Sequence, residues 1–293
     1  MLALVTAVSA CASQPTPSAD LERETSPGTA AIDRDAVRND VVCSAYELGE
    51  DDVTEIVSGH YVVDGNLGAV CFGEEVDTVV AAFEELAAIT PPLQMRDLSL
   101  FGGFRWQGNE DEETLAYVTT MEDDDTQFVL MVGIDSFDAD RATARLTMAH
   151  EFAHVITQTE LELDRFIFDD ECSTYYNGLG CFDEDSLMWA WMTEFWDPDV
   201  LAALDPEHDP LVSDGDERCS LDDSYFGAYA ASNPEEDFAE AFSAFVYGLE
   251  AETPGQQQKL DWLADQPGLA EFRERADAAG LTPQPNTFDI CGE

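Results

Sequence analysis

From Val41 onward, apolar and polar residues recur with periods that can be assigned to strands and helices. Tyr61-Val62-Val63 and Ala69-Val70-Cys71 flank Asp64-Gly65-Asn66, a pattern that predicts a hairpin. Residues 75–89 place Val76, Val79, Val80, Phe83 and Leu86 at helical spacing, and Pro91-Pro92 stops the helix. Residues 98–106 and 114–120 read as strands, and 127–134 form a nearly continuous apolar run that suits a central strand. The acidic Glu122-Asp123-Asp124-Asp125 is the expected loop between the last two. Ala142, Leu146, Ala149, Ala153 and Ile156 then alternate by four and three, which predicts a helix with one face on a core, capped by Ser136 or Asp138.

Beyond Glu160 the pattern is mainly helical. Residues 186–196 carry Leu187, Trp189, Trp191, Met192 and Phe195, an aromatic stripe of the kind that builds a core, with Pro198 as its stop. Residues 233–247 start at Asn233-Pro234, a cap followed by proline in the first turn. Two shorter amphipathic helices, near 256–264 and 269–279, complete the chain, and no internal repeat is present. These elements predict an α+β fold. A small mixed sheet and one helix form an N-terminal lobe of about 36–160, and helices form a C-terminal lobe of 161–293.

The residues ahead of this pattern change the picture of location. Val8-Ser9-Ala10-Cys11 follows an apolar start and resembles the lipobox of bacterial lipoprotein signals, without the basic residues that open them. The resemblance implies a signal remnant over 1–10, a lipidated Cys11 and a cell-surface lipoprotein. Residues 12–35, rich in Ser, Pro, Thr and charge, read as a flexible tether from that anchor. No later run is long and apolar enough to span a membrane.

The chain has 12 basic and 63 acidic residues, a net charge of −51. Nucleic acid and anionic membrane surfaces would repel it, so membrane contact is expected only through the anchor. Such a surface, with Lys259 as its only lysine, suits life outside the cell or in high salt. A preference for cationic substrates is a further reading. Apart from Cys11, six cysteines remain, an even set that favours three disulfides in an exported chain. The favoured pairs are Cys43–Cys71, Cys172–Cys181 and, by elimination, Cys219–Cys291. No C-x-x-C pair occurs, so thiolate ligation of zinc is disfavoured.

The chemistry centres on His150-Glu151-Phe152-Ala153-His154, which has the H-E-x-x-H form. Two residues four apart on a helix lie about 40° apart around the axis and about 6 Å apart along it, so both imidazoles reach one zinc ion. Glu151 beside them is placed to act as general base on a water. A catalytic zinc site wants a third protein ligand. Thr157 and Glu160 stand where a metzincin extension needs Gly and His, so that pattern fails, and Glu160 serves only if the helix ends near Thr157. His208, between prolines, and His60, after Ser58-Gly59, both read as solvated loop histidines. Glu236 and Glu240, four apart on the helix begun by Asn233-Pro234, share one face, so one can bind zinc while the other orients a ligating histidine.

At this point the chain resembles the gluzincin metallopeptidases, zincin-like proteins that join H-E-x-x-H to a later helix bearing E-x-x-x-D or E-x-x-x-E. Glu236-Asp237-Phe238-Ala239-Glu240 is most similar to the second helix of the anthrax lethal factor-type catalytic domain. That family carries a tyrosine seven residues before the ligand Glu, where Tyr229 stands here. The resemblance implies Zn²⁺ held by His150, His154 and Glu236, with Glu151 and Tyr229 as catalytic residues and a peptide or protein as substrate. Tyr225 is the rival tyrosine and Glu235 the rival ligand. Two functions remain: a zinc-dependent metallopeptidase, or a non-catalytic surface lipoprotein that keeps a zincin fold for binding.

Overall fold

The predicted hairpin forms. β1 (Thr54–Val63) turns into β2 (Asn66–Gly73) through Asp64 and Gly65, with φ of 50° and 74°, the paired left-handed conformations of a type I′ turn. This is a computed structural model that describes residues 34–109, 113–122, 124–206, 208, 210–288 and 291. Cys11, the signal remnant and nearly all of the tether fall outside the described residues.

Three further strands, β3 (Leu98–Trp106), β4 (Ala116–Met121) and β5 (Asp124–Gly133), complete a mixed sheet in the order β2-β1-β3-β5-β4. β3 and β5 run parallel; the other neighbours are antiparallel. β5 is paired on both sides and buried on both faces, which explains its nearly unbroken apolar run. Phe128, Leu130 and Val132 face one core, and Val129 and Met131 face a second with Leu48, Ile56, Leu100 and Phe104. The expected acidic loop is shorter than its sequence, since β5 begins at Asp124, which pairs with Met121.

The first core is closed by α1 (Asp77–Ile89), a short α2 (Ile134–Ala139) and α3 (Arg141–Thr157). Neither Ser136 nor Asp138 caps α3. Both lie inside α2, and Asp140, in extended backbone, accepts from the amides of Ala142 and Thr143 instead. Two short antiparallel strands, β6 (Leu163–Asp164) and β7 (Cys181–Phe182), lead into α4 (Leu187–Phe195), whose cap is Ser186. α4 stops ahead of Pro198, as expected, and Pro198 then opens α5 (Pro198–Leu201), where a missing amide costs nothing. α6 (Val212–Leu221) was not foreseen from the sequence. α7 (Pro234–Tyr247), α8 (Pro254–Asp265) and α9 (Leu269–Ala278) follow, and α7 packs along α3. Arg34–Glu293 is one compact unit.

Cys43–Cys71, Cys172–Cys181 and Cys219–Cys291 are all bonded. Two further expectations fail. His60 is no loop residue: it sits in β1, fully buried, with Nδ1 3.3 Å from the Gly68 carbonyl. Lys259 is not on the surface either. It is 1% exposed, and its ammonium donates to Asp237 at 2.6 Å and lies over the Tyr225 ring.

Candidate metal centre

α3 and α7 bring the candidate ligands together. On α3, the i, i+4 spacing places the rings of His150 and His154 5.0 Å apart, with the two Nε2 atoms separated by 3.3 Å. α7 starts at Asn233, whose side chain accepts from the amides of Glu235 and Glu236, so the first turn is fixed where Glu236 leaves the backbone. Glu236 Oε2 then lies 2.9 Å from His150 Nε2 and 3.5 Å from His154 Nε2. All three residues are buried, and one ligand atom from each falls within 4.8 Å of the others.

The donor set fits zinc. Two nitrogens each about 2.0–2.1 Å from one tetrahedral ion would stand roughly 3.3 Å apart, the separation seen here. Two nitrogens and a carboxylate oxygen face a single point, and Glu236 Oε2 is buried without a well-aligned hydrogen-bond donor. A shared cation would satisfy that oxygen and both imidazoles. Electrostatics agree. Burial would raise the Glu236 carboxyl, but the charge of His154 and contacts with both imidazoles hold it well below the usual carboxylate range. Burial would lower His154, yet Glu236 beside it keeps the imidazole up at about 9.

Glu151 lines a cleft of about 740 Å³ together with His150, Tyr229 and the start of β4. Burial raises its carboxyl; the neighbouring histidines and the Val118 backbone N–H of β4 oppose that shift. Tyr229 reaches the site from the turn before α7, its ring stacked on His150 at 5.9 Å. Burial and the charge of Glu236 push its phenol far up, so it keeps its proton and remains a donor.

The rival residues lie elsewhere. Tyr225 belongs to the core behind the site, against Trp196 and Lys259. Glu235 points into a neighbouring cavity, where its Oε1 accepts from Asn177 at 2.8 Å. Its carboxyl is raised to about 7 by burial, against the Asn177 hydrogen bond. Glu240 lines the same cleft as Glu151. α3 does end at Thr157, but Glu160 is exposed and away from the histidines. His208 is exposed as expected, with Nε2 2.9 Å from Asp214.

Sequence reasoning missed the support beneath Glu236. The next residue, Asp237, faces the other way and is fully buried. Lys259 holds one of its oxygens, and the Trp191 and Trp196 indoles donate to the other at 3.1 and 3.0 Å. The signal was present: an acid flanked by Phe238 and Ala241 on an apolar helix, and one lysine in the whole chain.

A family model described as "Putative zinc-binding metallo-peptidase" matches residues 82–277, a span that includes α3, Tyr229 and α7. The chain belongs to this family of zinc-binding metallopeptidases. Among solved structures it is similar to "a putative zinc-binding metallo-peptidase from Bacteroides caccae ATCC 43185", at 15% sequence identity and a TM-score of 0.26. The match covers 68% of this chain and spans 66% of the length of that one. No curated protein matches it.

Proposed function

We propose that the protein is a zinc-dependent endopeptidase of gluzincin type, with His150, His154 and Glu236 as metal ligands. The observation that carries this reading is the convergence of those three side chains, from two helices, on one buried point. Zinc bound there would polarise the scissile carbonyl and make a water more acidic.

The chain's own residues supply the rest. Glu151, next to the ligands and with its carboxyl raised by burial, takes a proton from the attacking water and passes it to the leaving amine. Tyr229, kept protonated, donates to the carbonyl oxygen as it gains charge. β4 is the edge strand beside α3, and its outer side, where the Val118 amide meets Glu151, would receive an extended peptide as a further strand across the cleft. Residues of about 36–160 and 161–293 then act as the two lobes of a zincin-like fold. Three disulfides support a setting outside the cytoplasm, in keeping with a lipid anchor at Cys11.

The test is Glu151→Gln beside wild type. Zinc-loaded wild type should cleave peptides in a protein digest, and a chelator should stop it. The variant should hold the same zinc and lose hydrolysis by about a hundredfold to ten-thousandfold, the usual worth of a positioned general base. Wild-type rates in the variant would remove Glu151 from its role. Zinc-loaded wild type that binds peptides and cleaves none would favour the non-catalytic surface lipoprotein.

A further inference from the structure

A second cavity, of about 580 Å³, opens on the His154 side of the metal centre and shares His154 and Glu236 with it. Its wall is amphipathic. Tyr175, Leu179, Leu204 and Pro206 give apolar surface, and Glu235 brings a half-buried carboxylate to the inner end, one residue from Glu236. Asn177 fixes that carboxylate by donating to Oε1 at 2.8 Å. Asn177 is itself held, since its Oδ1 accepts from the amides of Leu179 and Gly180, and the loop lies between Cys172 and Cys181 of one disulfide. Oε2 of Glu235 takes no hydrogen bond from the described residues.

His154, which also lines the cavity, offsets part of this negative charge, and the remaining charged groups are engaged elsewhere. Arg218 donates to the Ser232 carbonyl and lies over the Trp196 ring. His208 and Asp214 bind each other, and Asp214 also accepts from the Leu211 amide. Asp205 adds a further negative charge to the lining. A cavity that combines apolar wall with a fixed carboxylate suits a side chain with an aliphatic stem and a cationic head.

We infer that this cavity is a specificity pocket for a lysine or arginine side chain of the substrate, on the scissile-bond flank that faces His154, with Glu235 as its anion. This rests on the peptidase reading above and names the substrate class of the same site. A chain of net charge −51 would also draw basic peptides toward it.

The experiment compares zinc-loaded wild type with Glu235→Gln on a peptide library, reading cleavage positions by mass spectrometry, and on paired substrates that differ only by Lys or Leu at the enriched position. Binding of the same pair to Glu151→Gln and to Glu151→Gln/Glu235→Gln is measured by calorimetry. Wild type should show Lys or Arg enriched at one position beside the cleaved bond. The Lys-to-Leu ratio of kcat/KM should fall at least tenfold in Glu235→Gln, with the same loss in the ratio of affinities. A cleavage profile without a basic position would overturn the assignment, whatever the variant does. An unchanged ratio in the variant would overturn it as well. Zinc-loaded wild type that cleaves nothing would instead count against the peptidase reading, and the calorimetry would still decide whether Glu235 selects a basic side chain.

Discussion

Lys259→Met tests how α7, the helix that carries Glu236, is anchored. Lys259 and Asp237 are 1% and 0% exposed, their contact is 2.6 Å, and the Trp191 and Trp196 indoles complete the shell around Asp237. Methionine fills a similar volume, so the variant removes a charge and leaves few voids. Breaking a buried pair by removing one partner costs about 3–5 kcal/mol, because the remaining charge is left uncompensated. For a domain of this size that lowers Tm by roughly 6–20 °C. The assay is urea unfolding followed by tryptophan fluorescence under non-reducing conditions, since two of the tryptophans touch Asp237 directly.

The pH dependence gives a second signature. Burial already raises the Asp237 carboxyl, with Lys259 opposing it, so the variant lets it rise further. The folded state then holds a proton that the unfolded chain releases near pH 4. The variant's deficit should therefore be small in acid and grow as pH rises through the shifted value. Asp237→Asn/Lys259→Met removes both charges but keeps an amide oxygen to accept from the Trp191 and Trp196 indoles, so it should recover most of the loss. A deficit below about 1 kcal/mol in Lys259→Met, or a double variant no better than the single one, would refute the pair as the anchor.

Other consequences follow from the same contacts. Tyr229→Phe should keep zinc and lower kcat by roughly a hundredfold to a thousandfold, the usual effect of removing one oxyanion donor; zinc loss or an unchanged kcat would argue against the role. Glu162 is held up at about 7 by burial, against amide contacts at the start of α4. It binds a proton in the folded state that the unfolded chain loses above about pH 4.3. Its contribution to stability is therefore full below that pH and lost as pH rises through about 7. Glu162→Gln should flatten that slope relative to wild type in pH-series melts, and parallel curves would contradict it.

Much of the architecture was legible because the periods are strong. The β1–β2 hairpin follows from Asp64-Gly65, and α3 and α7 follow from apolar residues at helical spacing with Asn233-Pro234 at one start. The placement of the histidine pair was legible for the same reason, since i, i+4 spacing on one helix fixes His150 against His154. What the sequence hid depends on tertiary neighbours. His60 sits in a strand although Ser58-Gly59 looks like a turn, because β1 pairs with both β2 and β3 through this stretch, and its side chain is fully buried. Ser136 and Asp138 are good caps by type, but a helical turn ahead of α3 hands the role to Asp140. α6 carries Asp, Ser and Gly with little apolar face, and is pinned by Cys219 through its bond to Cys291. Lys259 looked like surface charge because its partner lies 22 residues away on another helix.

The central claim is that α3 and α7 together hold one zinc ion. Its most direct test is metal content and affinity in purified wild type beside Glu236→Ala. One zinc per chain in wild type, lost or strongly weakened in the variant, is the predicted result. Wild type without zinc after metal-replete purification, or a variant that binds zinc as tightly as wild type, would contradict the three-ligand site.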